Sequence, residues 1–588
     1  MRHLKYLNRY FFKYRFKLFF GILFVVIANI FALFPAHLIG KSFNLIVDKI
    51  EAFQNQNFFN ENEFFSLLST YFLLLILFAV LRGVFMFYMR QSIIVVSRHI
   101  EYDLKNDIYD HYQKLSFNFY KKNDSGDLLN RITEDVTKVR MYLGPACMYS
   151  LNLFTLIILI VSRMLFVSPF LTLVVLLPLP ILSFLIYNVS HKINFNSNIV
   201  QEKLSSLTNS VQEVFSGIRL IKAFVRGQEI VSEFNHDSEK YMDEHINLAR
   251  INSMFFPLVV FLVGISILLT VYVGGLLVVK ELISIGEVAE FIIYVNMLTW
   301  PVTSIGWVTE VIQRASASQA RINEFLYQKD FTVYFKSNEK RKIQFKNAIT
   351  FSEVSYCYPN TSTMTINSIS LKIKLNSMVA FVGHIGTGKT TILQLLAGLL
   401  SKTSGKIYFD DTLVEDLNWD FLRKDIGYVS QDVFLFSDSI RNNILFTNND
   451  VSEKNLLKLL TELCLIEEIK NFNDGLDTYI GEGGVTLSGG QKQRVALARA
   501  LVKNPKILIL DDVFSNVDSI TELKILNFIH TSFEDTTIIL TTNRLSILTY
   551  CDTIFVLKDG LLIQEGVHNE LISKEGEYKK IFFNQLRE

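Results

Sequence analysis

"MVAFVGHIGTGKT", residues 378–390, joins a short apolar run to a glycine-rich turn that ends in Lys389 and Thr390. The run reads as a strand, and the residues after the turn read as a helix as far as Leu400. Between them Gly383, His384, Ile385, Gly386, Thr387, Gly388, Lys389 and Thr390 fit G-x-x-x-x-G-K-[ST] in the strand-then-helix setting which that pattern requires. Glycines let backbone N–H groups close around phosphate oxygens, and the helix N-terminus adds a positive dipole. Lys389 is then expected to neutralise the β- and γ-phosphates of ATP, the Thr390 hydroxyl to ligate Mg²⁺, and Thr391 to belong to the same cradle.

A second strand, "KILILDD" at 506–512, ends in Asp511, the usual place for a carboxylate on the metal side. The next residue is Asp512, where ATP hydrolysis of this kind normally takes glutamate. Beyond about residue 330, short apolar strands alternate with amphipathic helices, which is α/β organisation.

The first half is different. At 588 residues the chain is too long for one core, and 50% hydrophobic against 20% charged is apolar for a soluble protein. From Leu18 to Ile39 no side chain carries a fixed charge, enough at ~1.5 Å per residue to cross a ~30 Å hydrocarbon layer. Similar runs at 66–89, 146–166, 169–188, 254–279 and 288–311 make six expected spans. Apolar Ile100, Leu104, Ile108, Tyr112 and Leu115 recur at helical spacing, so the second span is expected to continue as a helix beyond the membrane. Pro35, Pro178, Pro180, Pro257 and Pro301 mark expected kinks.

Arg2, Lys5, Arg9, Lys13, Arg15 and Lys17 precede the first span, while Asp48, Glu51, Glu61 and Glu63 outnumber Lys41 and Lys49 after it. This places both termini in the cytoplasm. Arg82, Glu290 and Glu310 fall within spans; snorkelling to the interface accounts for all three, with substrate contact the competing reading, foremost for Glu290. His37 reads as interfacial. A net charge of +1 gives no reason to expect a nucleic-acid partner, and Cys147, Cys357, Cys464 and Cys551 lack metal-ligand spacing and read as free thiols.

Between the two nucleotide strands lies "TLSGGQKQRVALARAL", 486–501, whose Leu487, Ser488, Gly489, Gly490 and Gln491 resemble the signature of ATP-binding-cassette (ABC) transporters. Other elements are similar in order: Tyr358 to the aromatic that stacks on adenine, Gln431 to the glutamine that touches Mg²⁺, "GEGG" at 481–484 to an exporter-specific loop, and Asp518 to the loop crossing the dimer interface. "FYKKNDSGDLLNRITEDV", 119–136, and "SGIRLIKAFVRGQE", 216–229, resemble the two cytoplasmic coupling loops of exporters.

The resemblance implies a half-transporter: an all-α, six-helix transmembrane domain with long cytoplasmic helical extensions over 1–325, a linker over 326–347 and an α/β P-loop nucleotide-binding domain over 348–588. It also implies a second half-transporter as partner, a lipid bilayer around the spans, and a small-molecule or lipid substrate. In this family one chain's signature faces the other chain's phosphate loop. Asp512 stands where active members carry Glu, and Asn543, in "TIILTTNRLS", where they carry a His that contacts the γ-phosphate. Both departures weaken the site built on this chain's own loop, whereas the signature donated to the partner is intact. An asymmetric heterodimer is the reading this favours; a homodimer with two slow sites, and an ATP-gated regulator or channel on the same fold, are the alternatives. Six fused spans argue against a cassette ATPase acting on DNA or ribosomes.

Overall fold

The computed structural model describes residues 2–54, 61–328, 345–359, 361, 363–448, 450–484 and 486–585. The chain divides into two compact units, one of residues 1–110 and 126–328, the other of residues 111–125 and 329–588. Most of the expected linker, 329–344, lies outside the described residues.

The first unit is helical: α1 (Arg15–Gln54), α2 (Glu61–Lys114), α3 (Cys147–Val167), α4 (Pro178–Ser216), α5 (Gly227–Ser253), α6 (Phe255–Val279) and α7 (Ile285–Tyr327). Helix satisfies every backbone polar group within its own segment, which a lipid-facing chain requires. Among the described residues five helical stretches are long and apolar enough to cross a membrane: Arg15–Glu51, Phe64–Lys114, Ser125–Val167, Gly227–Val279 and Ile285–Tyr327. They contain five of the expected spans. The remaining one, 169–188, is split between a short helix, Pro169–Leu176, and the start of α4. Pro178 has no N–H to donate into the preceding turn, so the helical ladder is interrupted at Leu177. Pro35 and Pro301 instead lie inside unbroken helices, and Pro257 sits in the first turn of α6, where no intrahelical donor is needed.

Helix α7 starts with a full capping box between Ser284 and Glu287 and meets α1 backbone to backbone. A Cβ on Gly286 would lie 2.0 Å from the Gly40 carbonyl oxygen, so only glycine permits that approach. Asn44 of α1 closes the crossing, accepting from the Gly286 N–H at 2.7 Å and donating to Ser284 Oγ at 3.0 Å.

Glu290 does not snorkel. It is 2% exposed and accepts from Tyr294 (2.6 Å) and Arg163 (3.0 Å), with His37 Nδ1 at 3.2 Å. The cluster ties α1, α3 and α7 together, and Arg163, inside the run 146–166, escaped the reading of charges from sequence. Glu310 is paired with Arg314 one turn on, and Arg82 is exposed on α2. Replacing Arg163 by Met removes the guanidinium partner of the buried Glu290, and is expected to lower stability by about 2 kcal/mol. Thermal unfolding of the purified protein in detergent checks this: an unchanged midpoint would mean that Arg163 does not hold the three helices.

The second unit carries two sheets. The larger has order β10-β9-β3-β8-β7-β6, built from β3 (Met378–Val382), β6 (Ile426–Val429), β7 (Ile507–Asp511), β8 (Thr537–Thr541), β9 (Thr553–Lys558) and β10 (Leu561–Gly566). Its neighbours are parallel except β10 against β9. Successive β3 side chains enter different cores, Met378, Ala380 and Val382 one, Val379 and Phe381 the other, as strands covered on both faces must. The smaller, antiparallel sheet, β2-β1-β4-β5, consists of β1 (Ala348–Tyr356), β2 (Ile366–Lys374), β4 (Ser404–Phe409) and β5 (Thr412–Leu413). Helices α8 (Lys389–Leu396), α9 (Gly489–Leu501) and α10 (Ser519–Ser532) complete what positions the site.

Part of the first expected coupling loop belongs to this second unit. In the helix Phe117–Lys122, Asn118 accepts from the Tyr356 hydroxyl at 3.2 Å, and Lys121 donates to Gln394 at 3.3 Å. The rest of that loop stays in the first unit, where buried Asp135 pairs with Arg321 of α7.

Candidate nucleotide-binding site

The order β3-β8-β7 explains the site. Three adjacent strands, the first two and the last two parallel, end at one edge and deliver there the loop after Val382, the segment after Thr541 and the pair Asp511–Asp512. These surround a cavity of about 510 Å³ lined by Tyr358, Ile385 to Thr391, Gln431, Asp511, Asp512, Ser515 and Thr541 to Arg544. An open parallel sheet offers its ligand crevice at this edge.

The loop is shaped by left-handed backbone. Gly388 has φ +96°, and a Cβ there would sit 2.9 Å from the Thr365 carbonyl oxygen. Lys389 turns its ammonium back over the loop, donating to the carbonyls of Gly383 (2.6 Å) and His384 (2.9 Å). Burial pulls the pKa of that ammonium down, with Asp512 and Asp511 acting against it. Ile385, at the loop tip, is 99% exposed, and His384 points away from the cavity toward Glu577, 3.5 Å off. The Tyr358 hydroxyl meets Thr391 Oγ1 at 3.0 Å, and Lys121 lies 4.7 Å from the Tyr358 ring centre.

Asp511 is buried, and one of its oxygens accepts from both Thr390 (3.1 Å) and Thr541 (2.7 Å). Burial raises its pKa. A hydroxyl, a carboxylate and the rim amide of Gln431 are the hard oxygen donors that suit Mg²⁺, so Thr390, Asp511 and Gln431 fit the expected metal set. Thr541 was not foreseen from sequence, although it lies in the quoted switch segment.

Asp512 occupies the left-handed region at φ +48°, its N–H donating to Thr541 Oγ1 at 2.9 Å. Its carboxyl lines the cavity half-buried; burial, then the neighbouring Asp511, push its pKa up. Asn543 faces the same space, its amide nitrogen turned to the Gly383 carbonyl at 3.2 Å. Arg544, a second residue that the sequence did not single out, donates to the Ser515 (3.1 Å) and Val517 (3.0 Å) carbonyls and pairs with Glu522, which is 0% exposed and also accepts from Ser546. Arg544 thereby fastens the switch segment to the loop that follows Asp512.

The signature stands apart. Ser488 caps α9: its Oγ accepts from the Gln491 N–H at 3.3 Å, and the Gln491 side chain accepts from the Ser488 N–H at 2.8 Å. Leu487 is buried beneath it, and Gly489 and Gly490 lie against Asn516. Asp518 caps α10 through the Thr521 N–H at 2.9 Å, and these backbone donors hold its carboxyl below the usual range. Among the described residues, none from Leu487 to Gln491, nor Asp518, lines the nucleotide cavity of its own chain.

Comparison with known proteins covers both units. The family described as "ABC transporter transmembrane region" matches residues 18–302, and that described as "ABC transporter" matches 366–515. A relative in Bacillus subtilis (strain 168), named "Probable multidrug resistance ABC transporter ATP-binding/permease protein YheI", is 34% identical over 82% of this chain and 82% of its own. The multidrug resistance-like ATP-binding protein MdlA of Buchnera aphidicola subsp. Schizaphis graminum is 30% identical over 96% and 95%. An ATP-dependent lipid A-core flippase of Syntrophus aciditrophicus is 32% identical over 84% and 82%. In fold the chain is similar to a bacterial Atm1-family ABC exporter with ATP bound, with a TM-score of 0.76 at 21% identity over 97% and 99% of the two chains.

Proposed function

The chain belongs to the ABC transporter family, as a membrane-spanning ATPase coupled to transport, and from that premise we propose that it is one half of a dimeric exporter for an amphipathic or hydrophobic cargo, drug-like or lipid-like. The observation that carries the dimer is the separation of the signature from the cavity of its own chain. The glycine-opened N-terminus of α9 carries the positive end of a helix dipole, which suits a phosphate, and a second chain supplies the phosphate loop opposite it. Exposed apolar residues on the second coupling segment, Leu220 (65%), Phe224 (73%) and Val225 (86%), support the same reading, since a partner's cassette would cover them.

In this proposal the interrupted helix through 169–188 is the fourth crossing and completes the six, and both termini lie in the cytoplasm at a bacterial inner membrane. Lys389 and the backbone of the loop bind the triphosphate, Tyr358 stacks on the adenine, and Thr390, Asp511 and Gln431 would hold Mg²⁺. When bound there, Mg²⁺ would offset the negative charge of the triphosphate. ATP binding favours the closed pair of cassettes, and the segments near 120–132 and 217–229 pass that closure to the membrane helices.

The two nucleotide sites are unequal in this reading. Asp512 and Asn543 both face the cavity that this chain's loop builds, so that site grips ATP and cuts it slowly. The partner's loop, completed by Leu487 to Gln491 from this chain, is the fast site. Purifying this chain alone and together with a second half-transporter with which it assembles, then comparing ATPase rates, tests the proposal. A brisk pair and a sluggish self-paired chain are expected. Brisk hydrolysis by the self-paired chain, abolished by Asp512→Asn, would overturn it.

A further inference from the structure

We propose that the membrane unit holds an aromatic box for a lipophilic organic cation, formed by Tyr149, Trp300 and Trp307 with Glu310 on the same cavity. The inference rests on the export reading and specifies the class of its cargo. A cavity of about 480 Å³ opens between α3, α4, α5, α6 and α7. That volume is in the range of pockets that enclose drug-sized molecules.

The aromatic side of the box is ordered. The Tyr149 ring lies 5.3 Å from Trp300 and 5.6 Å from Trp307, with planes inclined at 54° and 81°. The chain has three tryptophans, and the third, Trp419, is buried in the cassette. Both tryptophans of the membrane unit thus stand on one cavity wall. Trp300 is 57% exposed and Trp307 38%, so much of their ring surface is not consumed by packing. Tryptophans of an interfacial belt need no shared neighbour; these two share Tyr149.

Charge selects the occupant. Among the described residues Glu310 is the one charged side chain lining the cavity, beside the neutral Asn194, Asn252, Thr303 and Ser304. Its partner Arg314 does not line the space, and with 65% of that side chain exposed the pair is the kind worth little. Indole and phenol faces carry negative potential and attract a cation placed over them, most strongly where water is excluded. A carboxylate beside such faces favours a bulky, poorly hydrated cation over an anion or a neutral molecule.

The test uses the full chain in nanodiscs, alone and with its partner, without nucleotide. Equilibrium dialysis measures tetraphenylphosphonium and its near-isosteric anion tetraphenylborate against empty nanodiscs. Saturable binding of the cation and none of the anion is expected. Glu310→Gln should weaken the cation about tenfold and Trp307→Leu by a similar factor, while Trp307→Phe keeps most of the affinity. Equal saturable binding of both ions would overturn the proposal as a merely apolar pocket. So would cation affinity unmoved by Glu310→Gln and Trp307→Leu, or no saturable cation binding to protein that stays monodisperse. A tightly retained phospholipid that the cation cannot displace would also overturn it and name a lipid as the occupant. ATPase and ATP-driven dye uptake into proteoliposomes are followed in parallel. Failure to bind the cation with transport intact removes only the cation assignment, whereas cation binding without ATP-driven transport of any dye removes the export reading.

Discussion

Asp512→Glu combined with Asn543→His is expected to raise the ATPase turnover of the self-paired chain about 100-fold. The reason lies in reach and charge. A carboxylate polarising the attacking water contributes about 10²–10⁴ in rate when it is within hydrogen-bond distance. Asp512 projects from a backbone pinned by the Thr541 hydroxyl, so a side chain shorter by one methylene, about 1.5 Å, is not compensated by movement of the main chain. The cavity has room for the longer acid, because the Asp512 carboxyl lines open space of about 510 Å³. At 543 the amide cannot carry the positive charge that a histidine offers to the γ-phosphate, and its nitrogen is turned to the Gly383 carbonyl. Each single exchange restores one of two cooperating groups, so the single gains should multiply to less than the double. Phosphate release at saturating MgATP measures all four proteins. If the unaltered self-paired chain already turns over as fast as the double variant, the weak-site reading is wrong.

What the sequence disclosed and what it hid separate along a physical line. The phosphate loop was legible because consecutive residues determine its backbone, glycine by glycine, and because a strand and a helix flank it. Asp511 was legible for the same reason, as the last residue of an apolar strand. Side chains that act through distant partners were not. Arg163 sits in an apolar run and meets Glu290 across 127 positions, so its counter-charge is invisible to a window of local hydropathy. Arg544 and Glu522 are 22 apart and touch only because β8 ends beside the loop after β7. The interruption at Leu177 was half legible: Pro178 and Pro180 announced a kink, but composition alone could not say that the helix would end there. The grouping of 111–125 with the cassette runs against hydropathy altogether, since it depends on Asn118 and Lys121 finding partners more than 200 residues away.

Gly490→Asp in this chain is expected to cut the ATPase rate of the assembled pair by about 10²–10³-fold, whereas Lys389→Met in the same chain should leave it within about tenfold of normal. A Cβ on Gly490 would stand 2.7 Å from the Asn516 carbonyl oxygen, so any side chain displaces the loop between Asp512 and Asp518. A carboxylate there also places negative charge at the N-terminus of α9, which in the proposed pair would receive the partner's nucleotide phosphate. In the proposed unequal pair both faults fall on the fast site. In that proposed pair Lys389 serves only the slow site's loop, where it is held over the carbonyls of Gly383 and His384, so its loss should remove nucleotide grip there and leave the other site's chemistry in place. The two variants therefore separate an unequal pair from an equal one. In a symmetric homodimer every site contains both a phosphate loop and a signature, and each substitution would disable both sites alike. Binding of a fluorescent ATP analogue, counted per pair, supplies the control: one nucleotide fewer is expected for Lys389→Met. Equal collapse of the ATPase rate in the two variants, with the pair still assembled, would remove the asymmetry from the mechanism and leave two equivalent sites working in step.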